Sequence, residues 1–217
     1  MFCARKIILW TKLFFSQTSN GVKDTVIRQL KESAEVKIKT AETLSDLIVR
    51  AAEMLIRAYE NGGKVLLVGN GGSAADAQHI AGELVGRFKM ERRALPAIAL
   101  TTNSSIITAI GNDYGYDMVF ARKVEALANH PEDVLIVITT SGNSPNILKA
   151  VEAARSNGIK SIGLTGKGGG KLKDLVDLAL IVPSSDTPRI QEAHITIGHI
   201  ICDLVEQGLF HAETKFV

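Results

Sequence analysis

The sequence predicts a doubly wound α/β fold: a five-stranded parallel sheet flanked by helices on both faces, preceded by an N-terminal helical arm. Two observations predict it. Five short runs, 64–68, 96–100, 134–139, 161–164 and 178–182, are almost continuous in Val, Ile, Leu and Ala instead of alternating with polar residues. Strands read this way when both faces are buried, as in parallel sheets covered by helices. Between the runs lie segments with helical character, at 74–88, 117–128, 145–157 and 172–176, and a last one covers 190–208. Strand–helix alternation of this kind gives three layers, with ligands held at the carboxyl ends of the strands.

Taken in order, the chain opens with an extension at 1–21 that conforms to no element of this pattern. Arg5-Lys6 precede an apolar stretch, as in a signal peptide, but Lys12 splits that stretch and no small-residue cleavage site follows. The segment is expected to be disordered and to stand outside a single domain over 22–217. From Asp24 the spacing is helical: Ile27, Leu30, Ala34, Ile38, Ala41 and Leu44, then Ile48, Ala51, Met54, Leu55 and Ala58. Asn61-Gly62-Gly63 is a helix stop, so the domain begins with two helices or one bent helix.

Composition removes several function classes. Formal net charge is +2, and residues 1–23 hold four basic side chains and no acidic one, so the body is mildly acidic. That leaves no electrostatic footprint for nucleic acid. No apolar run approaches the ~18 residues of a membrane span. Two cysteines, Cys3 and Cys202, make no disulfide framework, and a cytoplasmic location is expected.

The loops after the strands carry the chemistry. After the first strand, Gly69-Asn70-Gly71-Gly72-Ser73 opens a helix. Glycines admit close approach of an anion, and the helix N-terminus supplies unpaired N–H groups. Gly69, Gly71 and Ala74 also satisfy a dinucleotide pattern, but the second strand ends at Thr101-Thr102-Asn103, without the acid that holds a ribose. After the third strand comes Thr139-Thr140-Ser141-Gly142-Asn143-Ser144, again before a helix. One hydroxyl suffices for an N-cap; four suit a phosphate monoester. Gly111-Asn112-Asp113-Tyr114-Gly115 reads as a turn whose Asn112 and Asp113 can bind sugar hydroxyls. His79 and Glu83 stand one helical turn apart on one face, and Gln191, His194 and His199 lie on the last helix.

These motifs, with Leu164-Thr165-Gly166-Lys167 and Arg189-Ile190-Gln191-Glu192, occur in an order and spacing that resemble the phosphoheptose isomerase family of sugar-isomerase (SIS) domain proteins, from about Thr25 to about Glu206. Thr139 stands where Ser is common, and Pro188 where some members carry Asp. The resemblance implies a flavodoxin-like SIS domain, a homotetramer with sites at subunit junctions, and one zinc ion per subunit. It implies conversion of D-sedoheptulose 7-phosphate to D-glycero-D-manno-heptose 7-phosphate, the first step towards the nucleotide-activated heptoses of lipopolysaccharide or other surface glycans. It further implies substrate contacts from Asn70, Gly71, Gly72, Asn112 and Asp113. A phosphate cradle is expected from Ser73, Thr139, Thr140, Ser141 and Ser144, and a zinc and acid–base cluster from His79, Glu83, Gln191 and His199. Glu83 is assigned as base and His199 as acid, with Glu83 and Gln191 also facing substrate.

Gln191 and His199 are eight residues apart, about 12 Å along a helix and roughly 80° around it. Either Gln191 lies at a distorted helix start or one site mixes residues of two subunits. The alternative function is a non-catalytic relative of the DnaA initiator-associating type, which needs no acid–base pair and lacks counterparts of Glu83 and His199.

Overall fold

The computed structural model describes residues 19–210. Residues 1–18, most of the expected extension, lie outside that range; the first helix already opens at Ser19. This helix, α1 (Ser19–Glu60), is one continuous element of 42 residues. At 1.5 Å per residue it is about 63 Å long, more than the body of the domain needs. Its second half packs on the core through Leu44, Ile48, Ala51, Leu55 and Ala58, while its first half is mostly exposed, with Val26, Leu30 and Ile38 open to solvent.

The remaining elements are β1 (Val65–Gly69), α2 (Gly72–Val85), β2 (Ala97–Ala99), α3 (Ser104–Tyr114), α4 (Ala121–Leu127), β3 (Val134–Ile138), α5 (Pro145–Ser156), β4 (Lys160–Thr165), β5 (Leu178–Ile181) and α6 (Thr187–Phe210). Short 3-10 turns occupy Tyr116–Met118, Lys167–Gly169 and Leu172–Asp174. The expected helix at 172–176 is thus only one such turn, and that at 117–128 is a turn followed by the seven residues of α4.

All five strands are parallel, in the order β2-β1-β3-β4-β5. Both faces are buried, as the continuous apolar runs require. On one face Val65, Leu67, Ile136, Ile138 and Leu164 meet α1, α2 and α6; on the other Leu66, Val68, Leu135 and Val137 meet α4 and α5. Each such Leu, Ile or Val contributes about 1.5–3 kcal/mol when fully removed from water. The order reverses between β1 and β3, so their carboxyl-end loops diverge to opposite faces and open a crevice. Those are the glycine-rich and hydroxyl-rich loops.

The element missed in the sequence is α3. Asn103 caps it, accepting from the Ile106 amide. Its residues are rich in Ser, Thr and Ile, which favour caps and strands over helix interiors, so the pattern is weak. Gly111, Asn112 and Asp113, expected in a turn, form its last helical turn.

Among the described residues no helix is long and apolar enough to cross a membrane. His194 of α6 is fully buried, with Nε2 3.2 Å from the Thr165 carbonyl and Nδ1 without a hydrogen-bond partner. Burial pushes its pKa down to about 4, against an upward pull from the Thr165 bond. A base depressed in the folded state costs stability as it becomes charged on unfolding: its contribution is whole above pH ~6.5 and is lost as pH falls towards ~4. Urea unfolding at pH 7.5 and pH 5 is expected to show wild type losing about 2 kcal/mol more than His194→Gln. Parallel pH dependence of the two proteins would refute the assignment.

Candidate active site

The crevice is built from three loops. Gly71 caps α2 without a side chain, so the first turn of that helix faces the opening. Asn70, ending the β1 loop, is locked to Asn146 at the start of α5 by two reciprocal amide bonds of 2.9 Å. Asn146 is 2% exposed, and its pairing ties the β1 loop to the β3 loop across the switch point. Tyr116 adds a third bond, donating to Asn70 Oδ1 at 3.2 Å. In the sequence Asn146 stands only as the residue closing the hydroxyl-rich segment after Ser144-Pro145, and Tyr116 just beyond the Gly111–Gly115 segment; neither position signals a bond across the switch point.

In the hydroxyl loop, Thr139 and Ser144 place their oxygens 3.5 Å apart. Ser144 is the N-cap of α5, yet its side chain makes no capping bond. Its hydroxyl therefore remains for something other than the helix. Ser141 Oγ accepts from the Asn143 amide at 3.2 Å, and Thr140 follows Thr139 at the mouth. Ser73 is buried in the first turn of α2. Asn112 and Asp113 are exposed on the last turn of α3, where Asn112 Nδ2 donates to Asp113 Oδ1 at 2.8 Å.

Along α2 and α6 stands a second group. His79 Nε2 lies 3.2 Å from Glu83 Oε1 and 2.9 Å from His199 Nε2, and the three ligand atoms lie within 4.8 Å of one another. Two imidazole nitrogens and one carboxylate oxygen converging on a point form a set that suits a divalent ion. Ligands at about 2.0–2.1 Å from a tetrahedral zinc stand roughly 3.3 Å apart, close to the two spacings from His79. The His199 ring stacks on Phe88 with centroids 5.5 Å apart and planes at 27°. Asp76, one turn before His79, has Oδ2 buried without a partner; burial raises its pKa and His79 draws it back.

Gln191, on α6, lies beside the opening turn of α2. A Cβ on Gly72 would come 2.5 Å from Gln191 Nε2, so the amide rests on the opening turn of α2. His79 is seven residues further along, about 10 Å away in rise. The helix carrying Gln191 runs unbroken from Thr187, so no distorted start brings the amide down.

The SIS domain family model matches residues 29–166. The phosphoheptose isomerase of Pelobacter propionicus is 57% identical over 187 residues, covering 86% of this chain and 98% of that protein. That of Geobacter metallireducens is 56% identical over 189 residues, covering 87% and 100%. The solved phosphoheptose isomerase from Francisella tularensis superposes with a TM-score of 0.83 at 46% identity, covering 86% of this chain and 98% of that one. The Neisseria gonorrhoeae structure gives 0.81 at 44%, covering 86% and 99%.

Proposed function

The chain belongs to the SIS-domain family and, within it, to the phosphoheptose isomerases, and from that premise we propose how its residues perform the reaction. The protein is an aldose–ketose isomerase that converts D-sedoheptulose 7-phosphate to D-glycero-D-manno-heptose 7-phosphate, the opening step of activated-heptose synthesis. The single observation that carries the reading is the convergence of His79, Glu83 and His199 in a fold whose glycine-rich and hydroxyl-rich loops share one topological switch point.

Moving a proton between C1 and C2 passes through an enediol and needs one group at the carbon and one at the oxygen. Ser73, Thr139, Thr140, Ser141 and Ser144 grip the phosphate, and Asn70, Gly71, Gly72, Asn112, Asp113 and Gln191 hold the sugar chain. Glu83 has two carboxylate oxygens. One faces His79; the other takes the proton from C1 of the ketose and returns it to C2. His199 moves the proton at the carbonyl oxygen, as an imidazole does near neutral pH. His79, Glu83 and His199 would hold a zinc ion, with Gln191 of a neighbouring copy as fourth ligand, and the ion would supply Lewis-acid polarisation of the sugar oxygens.

The same reading makes residues 22–217 one SIS domain and the protein a cytoplasmic homotetramer. Its supports are the exposed apolar first half of α1 and the apolar groove between α1 and α6, lined by Ala41, Ile48, Val49, Ile197, Ile200 and Leu204. The buried free thiol of Cys202 suits a reducing compartment.

The direct test follows purified protein with sedoheptulose 7-phosphate by NMR. Formation of the aldose is expected; an inert, zinc-supplemented protein that still binds the sugar phosphate would instead support the non-catalytic reading. Ser144→Ala tests the cradle. Because the hydroxyl does no capping, stability is expected to hold while KM rises about tenfold, the scale of one hydrogen bond to a charged group. An unchanged KM in initial-rate measurements would remove Ser144 from the cradle.

A further inference from the structure

We propose that Arg92 and Glu206 form a buried clamp that positions Glu83 against His199, so that a charge pair touching no substrate sets the spacing of the zinc-holding and proton-transfer groups. The inference rests on the roles given above to those two side chains.

Glu206 lies seven residues after His199 on α6, two turns along the same face. Its side chain is fully buried and accepts four bonds: from the amides of Phe88 and Lys89 at 2.8 Å, from that of Met90 at 2.9 Å, and from Arg92 Nε at 2.9 Å. Burial opposes its charge, but the three amides and Arg92 outweigh burial and hold the carboxyl below the usual range. The Arg92 side chain, 1% exposed, turns its remaining donors to carbonyls, one of them that of Arg93 and the others at the end of α2. Nη2 reaches the Glu83 carbonyl at 2.8 Å, and Nη1 reaches those of Leu84 at 2.8 Å and Gly86 at 3.2 Å. These are the carbonyls a helix terminus leaves unpaired.

The result is a closed circuit. Glu83 is held by its main chain to Arg92, Arg92 to Glu206, and Glu206 through α6 to His199. Phe88, whose amide Glu206 binds, returns to His199 by ring stacking. Fold stability alone does not call for this arrangement, since well-packed apolar side chains commonly replace a buried ion pair at no loss. What an apolar contact lacks is direction: a planar fork and a carboxylate fix both the distance and the rotation of α2 against α6. Ligand and proton-transfer geometry is sensitive to displacements of about 1 Å.

The experiment uses the full-length protein with Arg92→Lys, Glu206→Gln and, as a control in the same region, Asp203→Asn, which weakens the more exposed pair with Lys89 and the bond with Gln207 and leaves the clamp's own bonds in place. The readouts are kcat, KM, zinc affinity by competition with a chromophoric chelator, and melting temperature, all assayed well below melting. Both clamp variants are expected to lose about 10- to 100-fold in zinc affinity and in kcat, the range found when outer partners of metal ligands are removed, with KM within about twofold and the control near wild type. Folded clamp variants with lowered melting temperature but unaltered zinc affinity and kcat would overturn the proposal. If Glu206→Gln does not fold, Arg92→Lys, which keeps the charge but not the fork, decides alone. Glu83→Gln and His199→Gln run alongside: their retaining both zinc affinity and kcat would refute the site itself, whereas their losing both while the clamp variants do not refutes only the clamp.

Discussion

Glu83→Gln is expected to lower kcat by about a thousandfold, within the range general acid–base groups supply, while leaving sugar-phosphate binding near wild type. Gln has the shape of Glu and none of its basicity. The main-chain bond from Arg92 to the Glu83 carbonyl is untouched by the change, so α2 keeps its place. The glycine-rich loop proposed to help hold the phosphate lies at the other end of that helix, around Gly72 and Ser73, which is why binding and turnover are expected to separate. Because Glu83 also belongs to the metal-holding set, the variant is assayed with zinc in excess, so that loss of the ion and loss of the base are told apart. The sharpest readout is deuterium entering the sugar at C1 from D2O, which reports proton abstraction even when no product accumulates. Wild type exchanges and Glu83→Gln does not. A zinc-saturated variant that exchanges at more than about a tenth of the wild-type rate removes Glu83 as the base, since a true base supplies far more than that.

Much of the fold was legible because burial on both faces writes itself into each strand independently. Leu66 and Leu67 point to opposite layers, and both must be apolar whatever packs above them. The two loops at the crevice stood out for a related reason: Gly71, Gly72 and the Thr139–Ser144 hydroxyls exceed what a turn or cap needs, and surplus is visible without tertiary knowledge. The first helix was only half legible, since unbroken periodicity from Asp24 to Ala58 fits one helix or two, and packing on α6 makes it one. Helix α3 was not legible because its Ser, Thr and Ile residues favour other structures and only the Asn103 cap and its packing on the sheet side hold it.

At the site, His79 and Glu83 could be paired from spacing alone, being one turn apart. His199 joins them across 120 residues of sequence. Arg92 and Glu206 meet across 114, and Asn70 and Asn146 across 76. Nothing local distinguishes such a Glu or Asn from the exposed ones. The reading of Gln191 shows the limit from the other side. Helical geometry alone sets it and His199 about 12 Å apart along a straight helix, and the amide rests on Gly72, about two turns before His79 on α2.

Gly142→Ala is expected to be the most damaging single change in the loop proposed to cradle the phosphate. Gly142 sits at φ +65°, a region an L side chain enters at a cost of about 1–3 kcal/mol. A Cβ there would also overlap the Gly169 carbonyl, lying 2.6 Å from its carbon and 3.0 Å from the Gly170 amide nitrogen. These are backbone atoms, so no rotamer change relieves the overlap. The loops that meet there are joined by further bonds: the Leu172 amide to the Gly142 carbonyl at 3.0 Å, and the Lys171 amide to Asn143 Oδ1 at 3.1 Å. Admitting the methyl means breaking both and moving Ser141 with its loop. Stability is therefore expected to fall by about 3 kcal/mol or more, the scale of overpacking added to backbone strain, and KM to rise well beyond the effect of Ser144→Ala. Gly158→Ala separates the two causes, because Gly158 has φ +74° with nothing within 4 Å of the added carbon. It feels the strain without the overlap, and urea unfolding should place its loss near 1 kcal/mol, with KM unchanged. Equal losses at the two positions would mean that conformation alone matters at Gly142, and that the hydroxyl loop does not depend on its contact with the loop after β4.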